Sequence, residues 1–288
     1  MSVFNMGYLF EWRNLRARCG REGCHTTTLR HPLAGRRMGI LLGNDWFCSS
    51  DCFRLAVESR IRQLQEAACK NPPQRQSRLP LGLLLLSLGS ITHVQLQLAL
   101  QRQRESGGLL GDILCDLRLT TEQEVAVAAA MQWGCPVFTP KSKFSEIQAR
   151  IPSALMQAYS MAPVHYAAPI NKLLVGFVHG IEHQVLTAIE RITSCVVAPC
   201  FITASDCWES IRCRTGQSND VTFERVASVA EMATIVQSYA FQIGAEEARL
   251  EMCRDYLWAR LNREGFPTDL NFTLAHESAS TEEHHRMR

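Results

Sequence analysis

At 288 residues, 46% hydrophobic and 20% charged, the chain is long enough for two or three small domains and too apolar to be a disordered protein. The formal net charge is +2, but residues 1–80 carry 13 Lys/Arg against 6 Asp/Glu, a balance of +7, while 81–288 carry 17 against 22, a balance of −5. The longest apolar run, Leu79 to Leu88, is about ten residues, roughly half of what a membrane helix needs. The first residues lack the charged start and apolar centre of an export signal, so a cytoplasmic location is expected, with the twelve cysteines acting as thiols or metal ligands.

The first predicted unit, residues 1–70, is a four-cysteine finger with a long helix. Cys19 and Cys24 bracket a glycine-containing turn, and after an intervening loop Cys48-Ser-Ser-Asp-Cys52 supplies a second pair. Two close pairs separated by a loop have the arithmetic of a tetrahedral zinc site; the alternatives are buried thiols without metal, or His25 in place of one ligand. Phe53, Ala56, Val57, Ile61, Leu64 and Ala68 recur at helical spacing, and Ser49, Ser50 or Asp51 can cap that helix, which puts Cys52 in its first turn. A helix N-terminus favours the thiolate that zinc requires. Trp46 and Phe47 are expected to end the strand that feeds the second pair. The segment Trp46-Phe-Cys-Ser-Ser-Asp-Cys-Phe53 resembles the second half of treble-clef or zinc-ribbon fingers, which implies structural zinc at Cys19, Cys24, Cys48 and Cys52. A closed four-ligand site has no open position for water, so it would organise the fold and not catalyse.

Residues 71–79 have the proline and polar content of a linker. Beyond it, over 80–140, the chain repeats itself. Pro80 to Gln103 recurs 29 residues later as Leu109 to Gln132, which aligns Leu81, Gly82, Leu85, Leu88, Thr92, Ala99 and Gln103 with Leu110, Gly111, Leu114, Leu117, Thr121, Ala128 and Gln132. Each copy reads as a short apolar helix, a break and a longer capped helix. Gly89 marks the first break, Thr92 with Gln95 and Thr121 with Glu124 form capping boxes, and Gly134 stops the last helix.

This block is similar to the tandem 24-residue motif in the N-terminal domain of type II secretion and type IV pilus assembly ATPases. Leu81, Gly82, Leu85, Leu86, Gly89, Leu96, Leu100 and Gln103 fit the first copy, and Leu110, Gly111, Leu114 and Gln132 the second, with residues 104–108 as the spacer. In that family, members with the whole pattern bind cyclic di-GMP, which implies these twelve positions as its ligand set. Here the leading Arg of each motif is replaced by Pro80 and Leu109, and the second glycine by Arg118. Neither Pro nor Leu can supply the guanidinium fork, so a ligand-free helical scaffold is the competing expectation; Arg78, Arg102 and Arg104 are the candidate substitutes.

The resemblance continues to about residue 213. In the small α/β unit, residues 141–214, Ile151-Pro152 opens a helix with Pro in its first position, 162–168, 172–179 and 196–202 read as strands, and 182–193 as a helix. His165, His179 and His183 lack ligand spacing, as do Cys195, Cys200, Cys207 and Cys213. A C-terminal α+β module, 215–274, follows: Ser228 and Glu231 cap a helix running to Gly244, and 248–253, 256–261 and 270–274 form an antiparallel meander with Trp258 in its core. Residues 275–288 read as a disordered polar tail.

The expected fold is therefore α+β and multidomain. No Gly-Lys dipeptide occurs, so the Walker A loop is missing, and no Gly-x-Ser-x-Gly or His-Glu-x-x-His appears. A non-enzymatic regulatory or adaptor protein that contacts a protein partner is expected, with secretion, pilus or motility machinery implied by the resemblance. A cyclic di-GMP sensor is the alternative, and nucleic-acid binding through the basic finger a weaker one.

Overall fold

The computed structural model describes residues 16–29, 39–70, 78–140, 151–214, 220–224 and 226–274. The tail at 275–288 and most of the linker, 71–77, lie outside them. The architecture is mixed α+β. A ribbon of β1 (Arg16–Arg18) and β2 (Thr27–Leu29) precedes a hairpin of β3 (Ile40–Leu42) and β4 (Asp45–Phe47) and the long helix α1 (Ser50–Lys70). The tandem module is four helices: α2 (Leu81–Ser87), α3 (His93–Ser106), α4 (Leu110–Asp116) and α5 (Glu122–Trp133). The α/β unit comprises α6 (Ser153–Ala158), β5 (Met161–Ala167), β6 (Lys172–Phe177), α7 (His183–Thr193), β7 (Val196–Phe201) and α8 (Ala204–Arg214). Last come β8 (Asp220–Phe223), α9 (Val229–Ile243), β9 (Glu247–Cys253), β10 (Tyr256–Arg263) and β11 (Phe266–Thr273).

The six-stranded sheet runs β4-β3-β9-β10-β11-β8. The finger hairpin is thus an extension of the C-terminal meander: β3 lies parallel to β9, with Leu41 opposite Glu247 and Leu42 opposite Ala248. The modules 1–70 and 215–274, read from sequence as separate, share this sheet and one core over their described residues. Alternation along the strands sends Leu250, Leu257, Ala259, Leu261, Leu270 and Phe272 to one face, where Phe53, Val57 and Ile61 of α1 and Met232, Val236 and Ala240 of α9 cover them. Ser228 accepts from the Glu231 amide to start α9, and Gly244 ends it in the left-handed conformation, as the capping signals require.

The opposite face meets the α/β unit. Cys253 and Trp258 belong to the core built around β5, β6 and β7, and the Tyr159 hydroxyl donates to the Cys253 carbonyl at 2.5 Å. A buried polar knot sits in the same sheet: Arg260 grips Asp269 through Nε and Nη2, both at 2.8 Å, and the Trp258 indole donates to the same carboxylate at 2.8 Å. In the three-stranded sheet, β5 and β6 are antiparallel and β6 and β7 parallel. Pro152 is the residue before α6 and not its first helical position, one residue earlier than expected; its extended ψ of 137° ends the preceding segment, while its fixed φ of −57° suits either place.

Candidate functional site

The four cysteines come from two turns that meet. Cys19 extends β1 and bridges to Trp46 of β4, with the Gly20 amide donating to the Trp46 carbonyl at 2.9 Å. The tight turn from Arg21 to Cys24 depends on Gly23, whose φ of +77° favours a residue without Cβ. Gly39, at the mouth of the β3–β4 hairpin, has a φ of +114°, and a Cβ there would lie 2.4 Å from the Phe47 carbonyl oxygen. Cys52 falls in the first turn of α1, where its amide donates to the Ser49 hydroxyl at 3.3 Å.

The ligand atoms of Cys19, Cys24, Cys48 and Cys52 all lie within 4.8 Å of one another. Cys24 and Cys48 sulfurs are 3.7 Å apart, and those of Cys48 and Cys52 3.8 Å. A tetrahedron with metal–sulfur bonds of about 2.3 Å has edges of roughly 3.8 Å, so the four thiols fit a metal ion. His25 is exposed and outside the cluster. Hydrogen bonding from Thr26 lowers the Cys24 thiol to about 6, whereas burial pushes Cys48 up to about 11. Cys52 is lowered by Ser49 and then by Arg21, whose Nη1 lies 3.7 Å from its sulfur. A cation and two hydroxyls therefore surround sulfurs that a metal would hold as thiolates.

In the tandem module the capping boxes form as the sequence dictates: Thr92 and Thr121 accept from the amides of Gln95 and Glu124, whose side chains accept in return from the cap amides. Gly134 ends α5 in the left-handed conformation. Gly89, φ +71°, makes the break in the first copy; Arg118 occupies the matching place in the second with φ 54°, a conformation that costs a residue with a Cβ about 1 kcal/mol.

The two copies are locked reciprocally. Gly82 lets α2 approach Leu96 and Leu110, and Gly111 lets α4 approach Val125 and Leu81. Leu85 and Leu114 are fully buried at the centre, with Leu96 beside them and Leu86, Leu100, Leu81 and Leu110 packed around. Gln103 Nε2 donates to the Gly108 carbonyl at 2.9 Å, just ahead of the second copy; Gln132 Nε2 donates to the Leu79 carbonyl at 2.5 Å, just ahead of the first. Each copy's last glutamine thus holds the chain entering the other. Sequence alignment paired these residues but could not reveal the exchange. The guanidinium of Arg78 lies over the Trp133 ring, 3.2 Å from its centroid, and closes the ring at the same seam. Pro80 and Leu109 precede α2 and α4 without any side-chain cap. Arg102 approaches Glu105 at 4.0 Å.

The module docks on the α/β unit through α5. Trp133 packs against Gly180 and near His183 and Phe201, and the chain after it pairs with β7 through Phe138 and Pro136, at 2.8 and 2.9 Å. Glu122 caps α8, accepting from the Ser205 amide at 2.9 Å and hydroxyl at 3.0 Å. His179 lies 3.8 Å from Asp112, and His165 stacks on Phe138. Cys200 and Cys207 are buried and their thiols pushed up to about 12, which leaves them inert.

No family model matches the chain. It is 29% identical over 132 residues to the type IV pilus assembly ATPase PilB of Thermus thermophilus, a match over 43% of this chain and 14% of that protein. The chain thus spans about a seventh of that relative's length. Among solved structures it is similar to MshE, determined with "cdg" (18% identity, TM-score 0.38, covering 47% of this chain and 98% of that one). The N-terminal domain of XpsE gives 19% identity and a TM-score of 0.36, over 49% of this chain and 98% of that one. The curated match bears out, over under half of the chain, the resemblance to secretion and pilus assembly ATPases that the tandem motif carries.

Proposed function

We propose that this chain is a non-catalytic regulatory or adaptor protein, in which the tandem module is a scaffold for contacts with a protein partner and a structural zinc ion at Cys19, Cys24, Cys48 and Cys52 fixes the finger to the sheet. The observation that carries this reading is the reciprocal lock. Gln103 and Gln132 are committed to the backbone carbonyls of Gly108 and Leu79, the residues just ahead of the second and first copies, and the leading positions of the motifs are Pro80 and Leu109, which have no charge to offer a phosphate or a guanine edge. Leu83, Val94, Leu98, Leu109 and Met131 stand exposed on the module, an apolar outer surface that suits a protein contact better than a nucleotide. The partial PilB match supports secretion, pilus or motility machinery as the source of that partner, with an assembly ATPase as the component to test first.

Two titrations of the purified full chain test the proposal. Calorimetry with cyclic di-GMP is expected to be silent at high micromolar ligand, and size-exclusion with the assembly ATPase encoded in the same genome is expected to show a complex. Saturable cyclic di-GMP binding that Gln103→Ala weakens would replace the adaptor with a sensor. Failure to bind the ATPase would remove the assigned partner.

A further inference from the structure

A cleft of about 840 Å³ opens where the finger, α1, the edge of the six-stranded sheet and the C-terminal end of α7 meet. It lies apart from the tandem module, and neither the metal reading nor the adaptor reading uses it. At its floor Glu251, 8% exposed, accepts from Arg60 of α1 and Arg191 of α7, each at 3.2 Å. The other buried carboxylate among the described residues is held differently. Asp269 is gripped by both arms of a single guanidinium, that of Arg260, and by an indole, buried within the sheet.

Glu251 instead takes one donor from each of two guanidiniums on opposite walls of an open cleft. Each guanidinium has five N–H groups, so four on Arg60 and four on Arg191 extend beyond this contact. One carboxylate against two guanidiniums leaves a net positive charge. Over the whole lining the charges balance, with Arg21, Arg60, Arg191 and Arg249 against Glu22, Asp45, Glu247 and Glu251, so the excess is local to the Glu251 cluster. Beside it Arg249 and Glu247 pair with each other at 2.7 Å, and Arg249 also donates to the Arg191 and Ile192 carbonyls at the end of α7. Glu22 and Asp45 line the cleft from the turns of the finger. Ser59 and Gln63 add neutral hydrogen-bonding groups on the α1 wall.

We propose that this cleft binds a phosphate-bearing small molecule, with the phosphoryl group held between Arg60 and Arg191. A phosphoryl group offers three equatorial oxygens and a second negative charge, so it can engage both walls at once, and guanidinium forks match that geometry. The volume lies within the range of small-molecule sites. Because one wall is the finger's helix and the other belongs to the α/β unit, an occupant ties the two together.

The test uses the full zinc-loaded chain, with inorganic phosphate as the probe and sodium chloride at matched ionic strength as the reference. Phosphate is expected to raise the melting temperature saturably above the chloride control and to broaden its own phosphorus resonance. Arg191→Ala, at a side chain 60% exposed, and Arg60→Ala should each weaken phosphate binding at least about tenfold. Arg254→Ala, which removes a cation paired with Glu182 outside the cleft, should leave binding unchanged. A phosphate effect no larger than that of chloride, or tight binding retained in Arg191→Ala, would overturn the proposal. Arg191→Ala decides the matter even if Arg60→Ala does not fold.

Discussion

If the proposed metal sits among the four sulfurs, replacing Cys48 with serine removes one ligand and, with the metal lost, the cross-link that joins the Cys19/Cys24 turn to the head of α1. The shortest loop closed by that link runs from Cys24 to Cys48, a separation of 24 residues. On the chain-entropy estimate for a covalent cross-link of that span, losing it costs about 3.5 kcal/mol. For a chain of this size that corresponds to a melting temperature lower by about six degrees. The damage should be local. Phe53, Val57 and Ile61 remain fully buried against the sheet whether or not a metal is present, and each contributes roughly 1.5–3 kcal/mol, so α1 should stay docked beyond its first turn. Among the described side chains of the first turn, residues 18–27, Cys19 is the buried one. Hydrogen exchange monitored by mass spectrometry, with metal analysis on the same samples, should therefore show protection lost over 18–27 and kept over 40–47, which the sheet holds, and 53–68. If Cys48→Ser retains a full equivalent of zinc and an unchanged exchange pattern, the four-sulfur site is wrong.

Three further outcomes follow from the same geometry. In metal-free protein Cys24, held at about 6, should alkylate well before Cys48, held at about 11, with a rate that falls as pH drops through 6; Thr26→Val should slow Cys24, as read by peptide mapping. The sign follows from a folded value below the ordinary thiol range: the thiolate's stabilisation is present above the unfolded value and is lost as pH falls through the folded one. Asp269→Asn, which removes the carboxylate gripped by buried Arg260, should cost about 3–5 kcal/mol in a denaturant titration, and a cost below about 1 would show that the knot is not what holds that face together. Arg118→Gly should stabilise the chain by about 0.5–1 kcal/mol by relieving a left-handed residue, whereas Gly89→Arg in the first copy should do the reverse.

The parts of this protein visible from its sequence are those governed by neighbours a few residues apart. Capping boxes at Thr92 and Thr121, the glycine stops at 134 and 244, the amphipathic face of α9 and the paired cysteines all depend on spacings of three to five positions, and each forms where the residues place it. Tertiary structure decided what those pieces do to one another. β3 and β4 are three residues each, too short for a period, and β3 finds β9 some two hundred residues away; only the match of their exposed edges makes finger and meander one sheet. The reach of Gln132 to Leu79, 53 positions back, and the meeting of Arg60 and Arg191 over Glu251, are likewise fixed by packing. Local propensities and caps are written in contiguous residues, but which surfaces meet depends on the whole chain closing its cores, and no short window of sequence carries that.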